Sequence, residues 1–204
     1  MKFQDLEAQD TREYWANEAH DFTPWIASRI GSEDASQLED TLGLDLDMVD
    51  TEKDIGRYRV DVLAETVDDG RTVVIENQLE RSDHDHLGKA IAYAAGVDAD
   101  IIAWLAPKFN DEHRDAMEWL NENSREGVDF FALRIEVWKI GDSEPAVRLN
   151  PVEKPSEWRE GEAVERRTDR NTTVSRAVLD GISGQNRRQG YATERTEAIP
   201  TKLV

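Results

Sequence analysis

The chain has 204 residues, of which 38% are hydrophobic and 34% charged, and it contains six tryptophans and no cysteine. This length suits one domain with its own core, and the missing cysteines exclude disulfides, cysteine-ligated zinc and thiol nucleophiles. No apolar run approaches the roughly 20 residues that span a bilayer, and the first ten residues lack the apolar stretch of a signal peptide. We therefore expect a cytoplasmic protein with no membrane partner.

The net charge of −19 is spread unevenly along the chain. Residues 159–204 carry nine basic and seven acidic side chains, which leaves 16 basic and 37 acidic ones in residues 1–158. Such a field repels nucleic acid in dilute salt. In a cytoplasm of molar salt, however, the Debye length is only about 3 Å, and dispersed acid repels little at range. Only seven of the 25 basic residues are lysines, which favours a halophilic protein, and in that case the acidity does not exclude DNA as a partner.

The predicted elements begin with helices. Thr23 and Pro24 have the types of an N-cap and a first helical residue, and they predict a helix through residue 30. Ser82, three residues before Asp85, predicts the start of a later helix that Gly96 ends. The remaining predictions are helices over 34–42 and 110–124, and strands over about 45–53, 57–66, 72–79, 100–106 and 130–140.

This order of elements predicts an α/β fold with a mixed sheet and helices on its faces. We expect residues 1–158 to form the folded domain and residues 159–204 to form a polar, loosely structured C-terminal extension. Three tryptophans, Trp104, Trp119 and Trp138, fall in these elements and are predicted to lie in the core.

The hairpin between the second and third predicted strands carries the candidate chemistry. Asp69-Gly70 predicts a two-residue turn, which places Asp61 opposite Gln78 and Leu63 opposite Glu76. Because side chains alternate along a strand, Asp61, Glu76 and Gln78 then share one face. The opposite face is predicted to be the core face, with Tyr58, Val60, Val62, Ala64, Val73, Ile75 and Leu79.

Asp61 and Glu76 stand among β-branched apolar residues, where carboxylates are depleted. An isolated buried carboxylate is costly, so it is usually paired or bound to a metal. Two carboxylates with an amide two residues on make an oxygen-rich site of the kind that Mg²⁺ prefers. The alternative is a half-exposed hairpin whose acids pair with Arg57 or Arg59.

The spacing Gly56-x₄-Asp61, followed by VVIENQ with Glu76-x-Gln78, resembles the PD-(D/E)XK nuclease superfamily within this order of elements. The superfamily pattern is an Asp on the second core strand and (D/E)-x-K on the third. The stretches IENQLERSDHDHLGKAIAYAAG and EAHDFTPWIA resemble an uncharacterised nuclease-like group in it, whose members often sit beside a domain of unknown function. The resemblance covers residues 12–158 and implies a restriction-endonuclease-like core.

The resemblance also implies roles for individual residues. Asp61, Glu76 and the backbone carbonyl of Asn77 would bind Mg²⁺ or Mn²⁺. Gln78 stands where the superfamily has a lysine that orients or activates the attacking water, and a glutamine can orient a water but holds no charge.

Two further sets of residues are candidates for the site. The resemblance also implies an acidic residue from the first helical region that completes the site, for which Glu18 is the candidate, with Glu39 second. His86, Lys89 and Tyr93 share one stripe of the helix after the hairpin, and Lys89 would supply the charge that Gln78 lacks. The alternative for this stripe is a solvated helix face.

The leading hypothesis is a Mg²⁺-dependent nuclease that hydrolyses DNA phosphodiesters, as a homodimer or with an associated protein domain. One alternative is a catalytically weak or inactive module of the same fold that binds nucleic acid or protein. The other is a metal-free interaction domain whose acidic face serves solvation alone.

Overall fold

The computed structural model describes residues 3–32 and 37–155, so the predicted extension over 159–204 lies outside the described residues. The strands are β1 (Glu7–Gln9), β2 (Leu46–Ile55), β3 (Tyr58–Thr66), β4 (Thr72–Asn77), β5 (Ile101–Ala106), β6 (Asp129–Lys139) and β7 (Ala146–Glu153). The helices are α1 (Thr23–Ala27), α2 (Gln37–Leu42), α3 (His84–Gly96) and α4 (Asp111–Asn123). A 3₁₀ turn (Thr11–Glu13) and a π-helical turn (Glu18–Phe22) lie ahead of α1.

The strands form one mixed sheet in the order β1-β6-β5-β4-β3-β2, and β7 also pairs with β6. The meander β2-β3-β4 is antiparallel, whereas β4, β5 and β6 run parallel because α3 and α4 connect them. The predicted α/β class, a central mixed sheet flanked by helices, is confirmed. The short β1 and the polar β7 were not predicted, since neither has the apolar run that marks the other strands.

Helices cover both faces of the sheet, so the hydrophobic core consists of two clusters, one on each face. One cluster joins the π-helical turn, α1 and α2 to the sheet through Phe22, Ile26, Leu42, Ile75 and Phe131. The other joins α3 and α4 to the opposite face through Ala90, Tyr93, Met117, Trp104 and Phe130. The end of β4 is therefore enclosed from both sides, and the polar side chains of Glu76, Asn77 and Gln78 are buried there, whereas most of β2 is at least partly exposed.

The prediction for Trp119 was wrong, because this side chain is 60% exposed on α4. Trp104 is fully buried, as predicted, and Trp138 is half-buried. No helix in the described ranges is long and apolar enough to cross a membrane.

Two predicted helix starts are displaced. The first helical segment begins at Glu18, where the side chain of Asn17 accepts the N–H of His20, and Thr23 lies inside the segment. For α3 the cap is Asp83 and not Ser82, since Asp83 Oδ1 accepts the N–H of His86 at 2.9 Å. The cap of α3 thus moves by one residue, whereas the cap of the first helical segment, Asn17, lies six residues before the predicted one and is another residue type that favours this position.

Ser82 serves the contact between α3 and α4 instead. Its hydroxyl accepts the N–H of Asn110 at 2.8 Å and lies 2.7 Å from Nδ1 of the buried His113. His113 Nε2 in turn lies 2.7 Å from His84 Nδ1. This polar cluster fixes the first turns of both helices against each other.

Candidate active site

The hairpin that carries the candidate site has a longer turn than predicted. Thr66 donates its N–H to the carbonyl of Arg71, so the loop comprises residues 67–70, and Gly70 has φ +68°. The pairs run from Glu65↔Thr72 to Val62↔Ile75, and Leu63 lies opposite Val74. The predicted pairs Asp61–Gln78 and Leu63–Glu76 were therefore wrong by two residues. A shift of two leaves every side chain on its face, because the period of a strand is two.

The shared face of Asp61, Glu76 and Gln78 is confirmed. Asp61 and Lys89 of α3 line one cleft, Glu76 contacts Lys89 directly, and Gln78 contacts the cap of α3. If the β3–β4 register is continued past its last pair, Asp61 comes opposite Glu76. The two carboxylates thus come from neighbouring strands and face the same helix.

The predicted core face is correct for Val62 and Ala64, which lie in the cluster beneath α1 and α2. It was wrong for Val60, which lies in the cluster beneath α3 and α4, and for Tyr58, which packs against that cluster. The alternation of β3 breaks at Asp61, beside Glu52 of β2, whose φ of +52° is left-handed. A non-glycine residue in that region is strained, and such strain is concentrated at functional sites.

Asp61 is held by the backbone of the neighbouring strand. Its Oδ2 accepts the N–H of Asn77 at 2.7 Å, where a strand carbonyl would otherwise be the acceptor. Burial raises the pKa of Asp61 to about 6, while the hydrogen bond from Asn77 and the charge of Lys89 act in the opposite direction. Asp61 is therefore a carboxyl group that titrates near neutral pH.

Glu76 is more perturbed, because it is completely buried. Burial and the charge of Asp61 raise its pKa to about 8, although Lys89 and the hydroxyl group of Tyr93 oppose the shift. Its Oε1 accepts a hydrogen bond from Lys89 Nζ at 2.5 Å, and its Oε2 is buried with no hydrogen-bond partner among the described residues. One oxygen of this carboxylate is therefore buried with its hydrogen-bonding capacity unused by the described residues.

Lys89 reaches Glu76 from α3 while almost half of its side chain stays exposed. Burial lowers the pKa of Lys89, but the hydrogen bond and charge of Glu76, with the charges of Asp61 and Glu18, outweigh it and raise the pKa overall. The stripe predicted on α3 faces the site, since His86 Nε2 lies 3.8 Å from Glu76 Oε1. The solvated-face alternative for this stripe was wrong.

Gln78 is buried and its amide is fully used within the chain. Its Nε2 donates to the carbonyl of Arg81 at 3.0 Å and to Oδ2 of Asp83 at 2.8 Å, while its Oε1 accepts the indole N–H of Trp104. These bonds tie the end of β4 to the start of α3 and to β5. Its hydrogen bonds within the chain hold the side chain in place, and the expected contact of Gln78 with a water molecule remains a prediction.

Asn77 points its side chain to the other face, where Nδ2 donates to the hydroxyl of Thr23 at 3.0 Å. Glu18, the predicted third acid, accepts the N–H of Leu79 at 2.9 Å, and its charge acts on Lys89. Glu18 therefore lies beside the site, at the end of β4. Metal ligation by the Asn77 carbonyl and a catalytic role for Glu18 remain predictions.

Glu39, the second candidate for that role, lies elsewhere. Its two oxygens accept the N–H groups of Leu46 and Gly31, at 2.8 and 3.2 Å. Leu46 pairs with Thr66, at the end of β3 away from Asp61. Glu39 thus holds the entry to β2 and takes no part in the candidate site.

The donors present fit a magnesium ion better than a zinc ion. In the described ranges, 3–32 and 37–155, no three His, Asp or Glu side chains lie close enough together to bind a metal. Structural zinc needs four protein ligands and catalytic zinc three, whereas Mg²⁺ is often held by one or two carboxylates and keeps several waters. The unpartnered oxygen of Glu76 and the carboxylate of Asp61 meet that smaller requirement.

No protein-family model matches the chain, and no curated protein matches it. Among solved structures, a repair endonuclease from Pyrococcus abyssi aligns at 21% identity and a TM-score of 0.35, over 44% of this chain and 38% of its own. A complex of EndoMS with double-stranded DNA aligns at 18% identity and a TM-score of 0.37, over 66% of this chain and 48% of its own. The chain thus spans less than half the length of either, and its function rests on the residues described above.

Proposed function

We propose that the chain is a Mg²⁺-dependent nuclease domain that hydrolyses DNA phosphodiesters. The observation that carries the proposal is the pair of carboxyl groups on neighbouring strands, Asp61 and Glu76, both with raised pKa values, and the unpartnered oxygen of Glu76. The resemblance of the same residues to the PD-(D/E)XK pattern supports the same chemistry.

The pair is unfavourable for folding when both groups are ionised. Burial and mutual repulsion each disfavour the charged forms, and Lys89 compensates at only one oxygen of Glu76. A dication between them would favour the charged forms of both. A structural role would instead give each carboxylate a full set of hydrogen-bond donors, as Glu39 has.

In the proposed site, Asp61 and Glu76 would hold the divalent cation, which supplies a bound water of lowered pKa and stabilises charge on the phosphate. Lys89 would take the part of the superfamily's strand lysine. Its partly exposed ammonium group can turn from Glu76 toward an anionic phosphate oxygen once the charge of Glu76 is compensated. Gln78 would fix the start of α3 and thereby the position of Lys89.

The second candidate function is a DNA-binding module of the same fold with weak or no catalysis. The observation that favours it is Gln78, which has no positive charge and whose amide atoms are engaged by Arg81, Asp83 and Trp104. A cleavage assay separates the two, because both proposals include DNA and only the first includes hydrolysis.

The test is a calorimetric titration of the full chain with Mn²⁺, together with cleavage of labelled single-stranded and duplex DNA in dilute and molar KCl. We expect binding and cleavage by the wild type, and neither by Asp61→Asn or Glu76→Gln. Asp129→Asn is the matched control, since Asp129 forms an ion pair with Arg71 outside the site. It should lose stability and keep Mn²⁺ binding. A wild-type protein that binds no Mn²⁺ and cuts no DNA would overturn the proposal.

A further inference from the structure

A cleft of about 480 Å³ opens beside Asp61, between α3 and the turn that joins β2 to β3. Three basic residues line the cleft, Arg57, Arg59 and Lys89. This is unusual for residues 1–158, where acidic side chains outnumber basic ones by more than two to one. Arg59 pairs with Glu52, and Lys89 with Glu76. Arg57 forms no hydrogen bond or ion pair with any described residue, so the cleft has an unused guanidinium group at its edge.

Part of the α3 side of the cleft carries no bulky side chain. Gly88 and Ala92, one turn apart, both line it. Glycine is less favourable than alanine inside a helix, so a packing reason is expected for it. A Cβ built at Gly88 meets no atom within 4 Å, whereas one at Gly96 would lie 2.5 Å from the ring of Tyr58. Close packing thus accounts for Gly96 and leaves Gly88 without a reason inside the protein.

We propose that one strand of a nucleic acid lies in this cleft with its backbone against Gly88 and Ala92. Its phosphates would contact Arg57 at the turn and Lys89 on the helix. A guanidinium group binds phosphate oxygens in a bidentate way, and a surface without side chains lets the sugar-phosphate backbone approach the helix closely. This path leads a phosphate to Asp61 at the side of the cleft, and the inference rests on the proposed function.

The opposite wall supports the same path. Tyr58 packs edge-on against Tyr93 with their rings 6.2 Å apart, and the hydroxyl of Tyr93 donates to the carbonyl of Arg59 at 2.7 Å. These contacts fix the β2–β3 turn to α3 at one end of the cleft. The width of the cleft is thereby set by the fold, and bulk added at Gly88 must take space from the ligand.

The experiment measures binding of fluorescent single-stranded and duplex oligonucleotides to the full chain by anisotropy, over a series of KCl concentrations, in EDTA and in Ca²⁺. Gly88→Leu should weaken binding at least tenfold while its melting temperature equals or exceeds that of the wild type. Arg57→Ala should weaken binding. It should also make the slope of log affinity against log salt concentration shallower by about 0.7–0.9, which is the value for one phosphate contact. The controls are Ala146→Leu and Arg148→Ala, both exposed on β7 and away from α3, and both should bind as the wild type does.

A second variant with a smaller side chain, Gly88→Ala, separates weaker binding from a folding defect in Gly88→Leu. Gly88→Ala should melt higher than the wild type and still bind severalfold more weakly. If Gly88→Leu and Arg57→Ala bind as tightly as the wild type, the inference is overturned, and cleavage by the wild type then leaves the nuclease proposal standing. If the wild type binds Mn²⁺ but no oligonucleotide at any salt concentration, both the inference and the choice of DNA as substrate are overturned.

Discussion

Neutralising Glu76 tests whether the ionised carboxyl group lowers the free energy of unfolding. Its pKa rises from 4.5 to about 8 because burial, first, and the charge of Asp61 oppose ionisation. The folded-state pKa lies above the unfolded one, so the folded state binds more protons across this range and the free energy of unfolding falls as the pH rises. At about 1.4 kcal/mol per pKa unit, Glu76 lowers stability by roughly 4 kcal/mol near pH 8 and by less than about 1 kcal/mol near pH 5.

Glu76→Gln removes this dependence while keeping the shape of the side chain. The new NH₂ group takes the place of the unpartnered Oε2, and a buried donor without an acceptor costs about 1–3 kcal/mol. The variant should therefore be about 1–2 kcal/mol less stable than the wild type near pH 5 and about 1–3 kcal/mol more stable near pH 8.

Urea denaturation followed by tryptophan fluorescence, at fixed KCl and in EDTA, measures both proteins across this pH range. The informative quantity is the difference in unfolding free energy, which should change sign between the two ends. Parallel profiles would refute the reasoning, because they would mean that Glu76 does not change its ionisation there. A wild type that is more stable at every pH would instead indicate a structural ion pair with Lys89.

Four further outcomes are expected. Lys89→Met should keep Mn²⁺ binding in calorimetry and slow Mn²⁺-dependent cleavage of a labelled oligonucleotide about 100-fold or more, and an unchanged rate would remove Lys89 from the mechanism. Gln78→Met should lower the free energy of unfolding by roughly 2 kcal/mol or more, because the buried indole N–H of Trp104 loses its acceptor; equal urea midpoints would contradict this. Gly96→Ala should lower the free energy of unfolding by about 1–3 kcal/mol and with it the melting temperature, because the added Cβ overpacks against Tyr58, whereas a helix-propensity effect alone would raise both. Thermal melts should rise from about 0.1 to 3 M KCl if the acidity is halophilic, since screening relieves repulsion among surface carboxylates, and flat melts would count against that interpretation.

The face shared by Asp61 and Glu76 could be predicted from sequence although the turn was misjudged. Alternation along a strand depends only on whether the error in register is even or odd, and the turn is two residues longer than Asp69-Gly70 indicates. An even error in register still changes which residues lie opposite each other, so the predicted cross-strand partners were wrong. The stripe of Lys89 and His86 could also be predicted, because it follows from helical period once α3 is recognised.

The environment of Gln78 could not be predicted, because one of its partners is distant in sequence and the other two depend on how α3 begins. Trp104 lies 26 residues away on β5, and Asp83 contacts Gln78 only because it caps α3. The left-handed conformation of Glu52 also has no local signal, since glycine or asparagine is the usual residue there. Both features depend on how distant segments pack, which a single sequence does not encode in its local pattern.

Three departures from local rules lie around Asp61, and one further departure, the left-handed Asp98 with φ +55°, lies beyond the end of α3. The strained Glu52, the glycine inside α3 and the buried Glu76 with one unpartnered oxygen each lower stability. The charge of Glu52 raises the pKa of Asp61, and the charge of Asp61 raises the pKa of Glu76. The chain is able to satisfy a buried carboxylate, because both oxygens of Glu39 accept backbone N–H groups. Folded proteins break such rules mainly at functional sites, where a ligand completes what the protein leaves open. The contrast between Glu39 and Glu76 therefore favours a ligand at Glu76, and a cation is the ligand that removes both the repulsion and the unpartnered oxygen.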